Sequence, residues 1–185
     1  MKLSKIQITL LFASGLWFFG EGLLGPLFAV FSQKIGGDIL DITWAWALYL
    51  ILSGTLYIVF GRLLRDSKHK EKAMILGYII NTICTFCYIL IKTNSELLFL
   101  QVGFAVAEAI STPIWDSIFA NELELKDDSF LWGIAGGHSH IISGIAIAIG
   151  GLITFYLSFN VLFIIMGFIQ LASTLIQANL LFNRK

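Results

Sequence analysis

Charge is scarce in this chain. Asp, Glu, Lys and Arg make up 13% of its 185 residues, while 57% are hydrophobic and mean hydropathy is +0.85. A soluble domain usually carries about 25% charged residues, so this ratio argues against a water-soluble core. The formal net charge is zero, and nothing in that balance draws the chain to a nucleic acid. Cysteine is nearly missing too. Cys84 and Cys87 are the only two, too few for a disulfide framework or a four-ligand zinc site. Their Cys-x-x-Cys spacing matches a redox motif by letter, but no strand precedes it and it sits inside an apolar run, so redox chemistry is not expected. Enzyme signatures are absent as well: there is no phosphate-binding Gly-Lys-Ser/Thr loop, no HExxH and no Gly-x-Ser-x-Gly. The chain is therefore expected to be no enzyme and no ATP-driven pump, and to need no cofactor or metal.

What fills the chain instead is apolar sequence in long runs. Six segments, over 6–31, 43–61, 73–91, 96–120, 130–156 and 159–182, are long enough to cross a bilayer, which takes about 20 residues. Lys2 and Lys5 ahead of the first run resemble the start of a signal peptide. A signal's apolar region is only about 7–15 residues long, and this run continues to Phe31, so it is expected to be a retained helix. Connections are short, with no linker and no low-complexity stretch. The expectation is an all-α membrane protein, one domain over 1–185, in which helices satisfy every backbone group as lipid demands.

Basic residues orient the bundle. Lys2, Lys5, Arg62, Arg65, Lys68, Lys70, Lys72, Lys126, Arg184 and Lys185 fall on one side, and only Lys34 and Lys92 on the other. By the positive-inside rule, both termini are expected in the cytoplasm, in a cytoplasmic (inner) membrane. Any dimer should then be parallel, with its axis along the membrane normal.

Carboxylates inside the apolar runs are the main functional candidates, because ionisable groups at membrane depth are costly and face a bundle interior or a water-filled cavity. Glu21 lies midway along the first span, in a stripe with Ser14, Trp17 and Gly25 at helical spacing. Loss of water disfavours its charged form, so it can carry a proton near neutral pH. Glu108 lies midway along the fourth span, followed by Thr112, Trp115 and Asp116 on nearly one face, and Pro113 frees the carbonyl of Ala109. Asp116 is nearer the cytoplasm, where a structural role beside Asn121 or the basic loop competes with a functional one. No Lys or Arg lies at the depth of Glu21 and Glu108, which favours a proton or a bound cation as the way their charge is handled.

His138 and His140 enter the fifth span two residues apart. They point about 200° away from each other and so do not chelate one metal. His140 shares a face with Gly136, Gly144 and Ile147 and is the better candidate for a proton relay. Trp17, Gln101 and His140 are further candidates for a cavity wall. The fifth span also carries Gly133, Gly136, Gly137, Ser143, Gly144, Gly150 and Gly151, small residues that let membrane helices approach closely. Packing within one bundle and contact with a second copy explain them equally well. Asn81, Thr85, Gln170, Thr174 and Gln177 are expected as hydrogen-bonding glue between helices.

The loop after the second span runs Gly61-Arg62-Leu63-Leu64-Arg65-Asp66-Ser67-Lys68-His69-Lys70. It resembles the signature loop of the major facilitator superfamily, in which a Gly ends the second helix and an Asp and basic residues follow. Leu23-Leu24-Gly25-Pro26-Leu27-Phe28 is similar to the end of that family's first helix, Gly103 to Pro113 to its fourth, and Gly144 to Gly151 to its glycine-rich fifth. Asp66 comes one residue later than in the family pattern, the loop's second Gly is missing, and the fourth span lacks the early Arg of many proton-coupled members, with Leu98 and Gln101 nearby instead.

The resemblance covers the whole chain and one half of the usual twelve-helix member. Such transporters are built of two six-helix halves related by an axis along the membrane normal, with the substrate between them. It implies a secondary transporter of a small molecule by alternating access, completed as a parallel homodimer or beside a different six-helix half. It also implies that Gly61, Arg62, Arg65 and Asp66 gate the opposite half, Asp66 reaching the start of the partner's fifth helix near 129–133, where the helix dipole favours an anion. Acidic groups and aromatics favour cationic or neutral polar substrates over anions. A non-transporting membrane interaction or assembly module is the alternative, and a truncated natural protein is a third reading.

Overall fold

A computed structural model describes residues 3–65, 67–122 and 128–183. The chain runs α1 (Lys5–Leu24), α2 (Leu27–Lys34), α3 (Ile39–Leu64), α4 (Lys70–Cys87), a 3-10 turn (Tyr88–Leu90), α5 (Asn94–Asn121), α6 (Asp128–Tyr156) and α7 (Phe159–Asn183), with no strand among the described residues. Six of these helices are long and apolar enough to span a membrane, α2 being the exception.

Three helix starts are written as reciprocal caps. At α1, Ser4 Oγ accepts from the Gln7 N–H at 3.1 Å while the Ser4 N–H donates to Gln7 Oε1 at 2.8 Å. Asp38 and Asp41 do the same for α3, and Thr93 and Glu96 for α5. Each pair satisfies amide donors that a helix start leaves without partners. Ser4 also donates to Glu122 Oε2 at 3.0 Å, and Gln7 Nε2 donates to the Glu122 carbonyl at 2.9 Å. The start of α1 is thereby tied to the end of α5. Ser4→Ala removes the cap and one of these ties, and is expected to cost about 1 kcal/mol, read as a lower unfolding temperature in detergent; an unchanged temperature would refute the clasp.

The single helix expected over 6–31 is broken. Gly25 has φ +26° and ψ −119°, and Pro26 starts a fresh turn. Glycine tolerates that left-handed region, and proline has no N–H to continue the hydrogen-bond ladder. Hydropathy registers the length of an apolar run and misses a change of direction within it.

The spans pack as a row: α3 on α5, α5 on α4, α4 on α7, α7 on α1, and α1 on α6. The two ends of the row are poorly covered. Only 6% of the α3 membrane window and 11% of the α6 window are buried, against 44–56% for the other four. Two apolar clusters hold the row together. One gathers Leu23, Phe28, Phe31, Tyr88 and Phe163. The other gathers Leu10, Trp17, Met74, Tyr78 and Phe119. Along α1, α4 and α5 they lie to either side of Glu21, Asn81 and Glu108.

The expected polar glue is in place on α7. Gln170 Nε2 donates to the Trp17 carbonyl at 3.1 Å, and Thr174 Oγ1 lies 2.9 Å from Thr82 Oγ1. Gln177 Nε2 donates to the Tyr78 hydroxyl at 3.0 Å. The small residues of α6 divide into two sets. A Cβ on Gly150 would run into the Leu23 carbonyl, and Gly22 meets the backbone of Ser143, so these seat α6 on α1. Gly133, Gly136, Gly137, Gly144 and Gly151 have only open space where a Cβ would stand.

Candidate functional site

Between the two apolar clusters lies a cavity of about 120 Å³. Its wall takes Glu21 from α1, Tyr49 from α3, Asn81 from α4, Gln101 and Glu108 from α5, and Gln170 from α7. Half of the remaining lining is aromatic: Phe28, Trp46, Tyr88 and Phe104. No Lys, Arg or His lines it among the described residues.

The two carboxylates are held differently. Glu108 is half-buried and clasped from α3. The Tyr49 hydroxyl donates to Glu108 Oε2, and Tyr57, two helical turns further on, places its hydroxyl at Glu108 and Thr112. Glu21 is exposed to the cavity, with the Trp17 side chain close by. The two lie near enough to feel each other's charge. One acid is thus fixed by hydroxyl donors, and the other is available to whatever enters.

Trp46 is 43% exposed and sits edge-on to both Phe28, centroids 5.6 Å apart, and Tyr49, 5.8 Å apart. Tyr88 and Phe104 form a second pair at 5.4 Å. Behind them Asn81 and Gln170 are each 1% exposed, and Asn81 Nδ2 and Gln170 Oε1 have no hydrogen-bond partner among the described residues.

Of the candidates from sequence, Glu21, Glu108 and Gln101 meet at this cavity, while Trp17, one helical turn from Glu21, is buried against Tyr78 and does not line it. Asn81, expected only as helix glue, lines it. His140 does not reach it. It is exposed on α6, and its Nδ1 lies 2.7 Å from the Gly136 carbonyl of its own helix. A shared helical face with Gly144 and Ile147 was no guide: Ile147 packs on Gly25 of α1, while His140, two turns earlier on α6, stays exposed. His138 packs against Gly15 of α1, with Nδ1 buried and unpartnered. Asp116 is exposed past Pro113, outside the cavity. Cys84 and Cys87 are free thiols.

At the far end of α3, Gly61, Arg62 and Arg65 are exposed. Gly61 and Arg65 border a second cavity of about 170 Å³ with Lys70 and Pro113. Asp66, the acidic member of that loop, lies outside the described residues, so its contact with the start of a partner's fifth helix is not described either. Sequence reasoning missed Tyr49, Tyr57 and Trp46. Their signal was present: tyrosines eight residues apart share a helical face, and Trp46 precedes the first by one turn.

Six membrane-length helices, five of them lining one cavity, define an integral membrane protein with a transporter-like fold. The family model of the Major Facilitator Superfamily matches residues 10–185, and the chain belongs to that superfamily. Its members are transporters rather than enzymes, in keeping with the missing enzyme signatures. No curated protein gives a match.

Proposed function

We propose that this chain works as a secondary transporter of a small molecule, two copies assembling in parallel about an axis along the membrane normal and exchanging access to a cavity between them. The observation that carries the reading is the position of Glu21 and Glu108 on one mid-bundle cavity, with the spans at both ends of the row left uncovered. A charged group at that depth is expensive unless it serves a pathway. Open glycines along α6 suit close approach by another helix better than contact with lipid tails. A parallel pair related by a two-fold axis lays the same uncovered faces together in both copies.

In this reading the six spans act as one unit with Lys5 and the α3–α4 loop on the cytoplasmic side. Glu21 and Glu108 carry the coupled proton, Gln101 and Asn81 shape the wall, and Trp17 stands one helical turn from Glu21. Gly61, Arg62, Arg65 and Asp66 work as the gating loop against the opposite copy. Native mass spectrometry of the purified chain in lipid nanodiscs tests the assembly. A dimer is the expected result; a monomer in every lipid would overturn the homodimer and direct the search to a second six-helix partner.

A further inference from the structure

We propose that the cavity takes a monovalent organic cation, a protonated amine or quaternary ammonium on an aromatic or alkyl body. Its charge lies at Glu21 and Glu108, and its body rests on Trp46, Phe28 and Tyr88. The proposal rests on the transporter reading for its purpose but not for its test.

Charge comes first. The lining holds two carboxylates and no cationic side chain among the described residues, so an anion would enter an acidic site of low dielectric, where like-charge repulsion is strong. A resident metal ion fits poorly. Divalent calcium and magnesium want six or more oxygen ligands, and no group of three His, Cys, Asp or Glu side chains comes together among the described residues. Glu108 is moreover already engaged by Tyr49. A diffuse positive charge needs no such shell. It is satisfied by one available carboxylate together with ring faces, whose negative quadrupoles attract cations.

The walls match that demand. Trp46, Phe28 and Tyr49 form one contiguous aromatic corner, and Tyr88 with Phe104 another. Trp46 keeps 43% of its surface open, which leaves ring area for a ligand. In the same wall, the buried Asn81 Nδ2 and Gln170 Oε1 hold one unused donor and one unused acceptor. A small movement of either amide would meet a polar substituent beside the cationic centre.

The test is equilibrium binding of benzyltrimethylammonium to the full chain in nanodiscs, with empty nanodiscs subtracted and with benzyl alcohol and benzoate as neutral and anionic comparisons. Saturable binding of the cation is expected, at least about tenfold tighter than either comparison. Glu21→Gln should weaken it about tenfold or more, and so should Trp46→Ala, a change at a partly exposed position. Equal affinity for benzyl alcohol, tighter binding of benzoate, or unaltered affinity in both variants would overturn the proposal. Uptake into proteoliposomes separates the two ideas. Cation binding without any uptake keeps the ligand class and removes the transport reading, and uptake of benzoate in place of the cation does the reverse.

Discussion

Gly150→Ala is expected to unseat α6 from α1. The added methyl would run into the carbonyl of Leu23, with the Leu23 carbonyl carbon at 2.8 Å and its Cα at 3.0 Å. All three atoms belong to helical backbone, which cannot rotate aside as the tip of a side chain can. Overpacking a well-fitted site usually costs about 1–3 kcal/mol, and a clash with main chain belongs at or above the upper end. Lipid adds to the effect. Helices in a bilayer associate through close packing rather than through exclusion of water, so an enforced separation loses contacts along the whole α1–α6 crossing. Gly137→Ala is the control. Its surroundings are open, and the stability of the single bundle should change by less than about 0.5 kcal/mol. Unfolding in detergent, followed by size-exclusion recovery, checks both. A Gly150→Ala protein as stable as the parent would mean that α6 does not rest on Leu23.

Glu21→Gln is expected to abolish the pH dependence of uptake while the fold survives. The amide has nearly the shape of the acid and keeps an oxygen acceptor, but it can neither ionise nor release a proton. Glu21 projects into the cavity rather than into a packed interface, so the exchange leaves no buried group newly unsatisfied. For a compound that the parent chain moves against an imposed pH gradient in proteoliposomes, uptake should fall at least about tenfold, equivalent to about 1.4 kcal/mol of lost coupling, with a flat profile across pH. The flat profile is the decisive reading, because weaker substrate binding alone would lower uptake and leave the profile's shape. Transport that keeps its pH dependence in this variant would take Glu21 out of the coupling step.

Some of the site was legible in advance. Glu21 and Glu108 are costly residues in apolar surroundings, and cost of that kind is visible letter by letter. Gln101 was picked out by its place near the early Arg of many proton-coupled family members. The tyrosines that clasp Glu108 were not read, because Tyr49 and Tyr57 belong to another helix and only the α3–α5 contact brings them to it. His140 lies away from the cavity of the single bundle for the matching reason. Its helical face was correctly grouped with Gly144 and Ile147, but nothing in a periodicity says which way a face turns once α6 is laid against α1.

The sequence by itself determined that this is an all-helical membrane protein with six spans. The reason is the solvent. Hydrocarbon offers no partners to N–H and C=O groups, so a run of about 20 apolar residues has one stable form, and its length and composition suffice to recognise it. Only the tertiary structure decided the order of helices in the row and which glycines of α6 touch α1. These spans are apolar on every side, and lipid accepts either side, so no contrast of polarity records what each face will meet. Shape complementarity makes that choice: Gly150 against the Leu23 carbonyl and Gly22 against Ser143 settle α6 on α1, leaving Glu21, Glu108 and Trp46 around an open cavity.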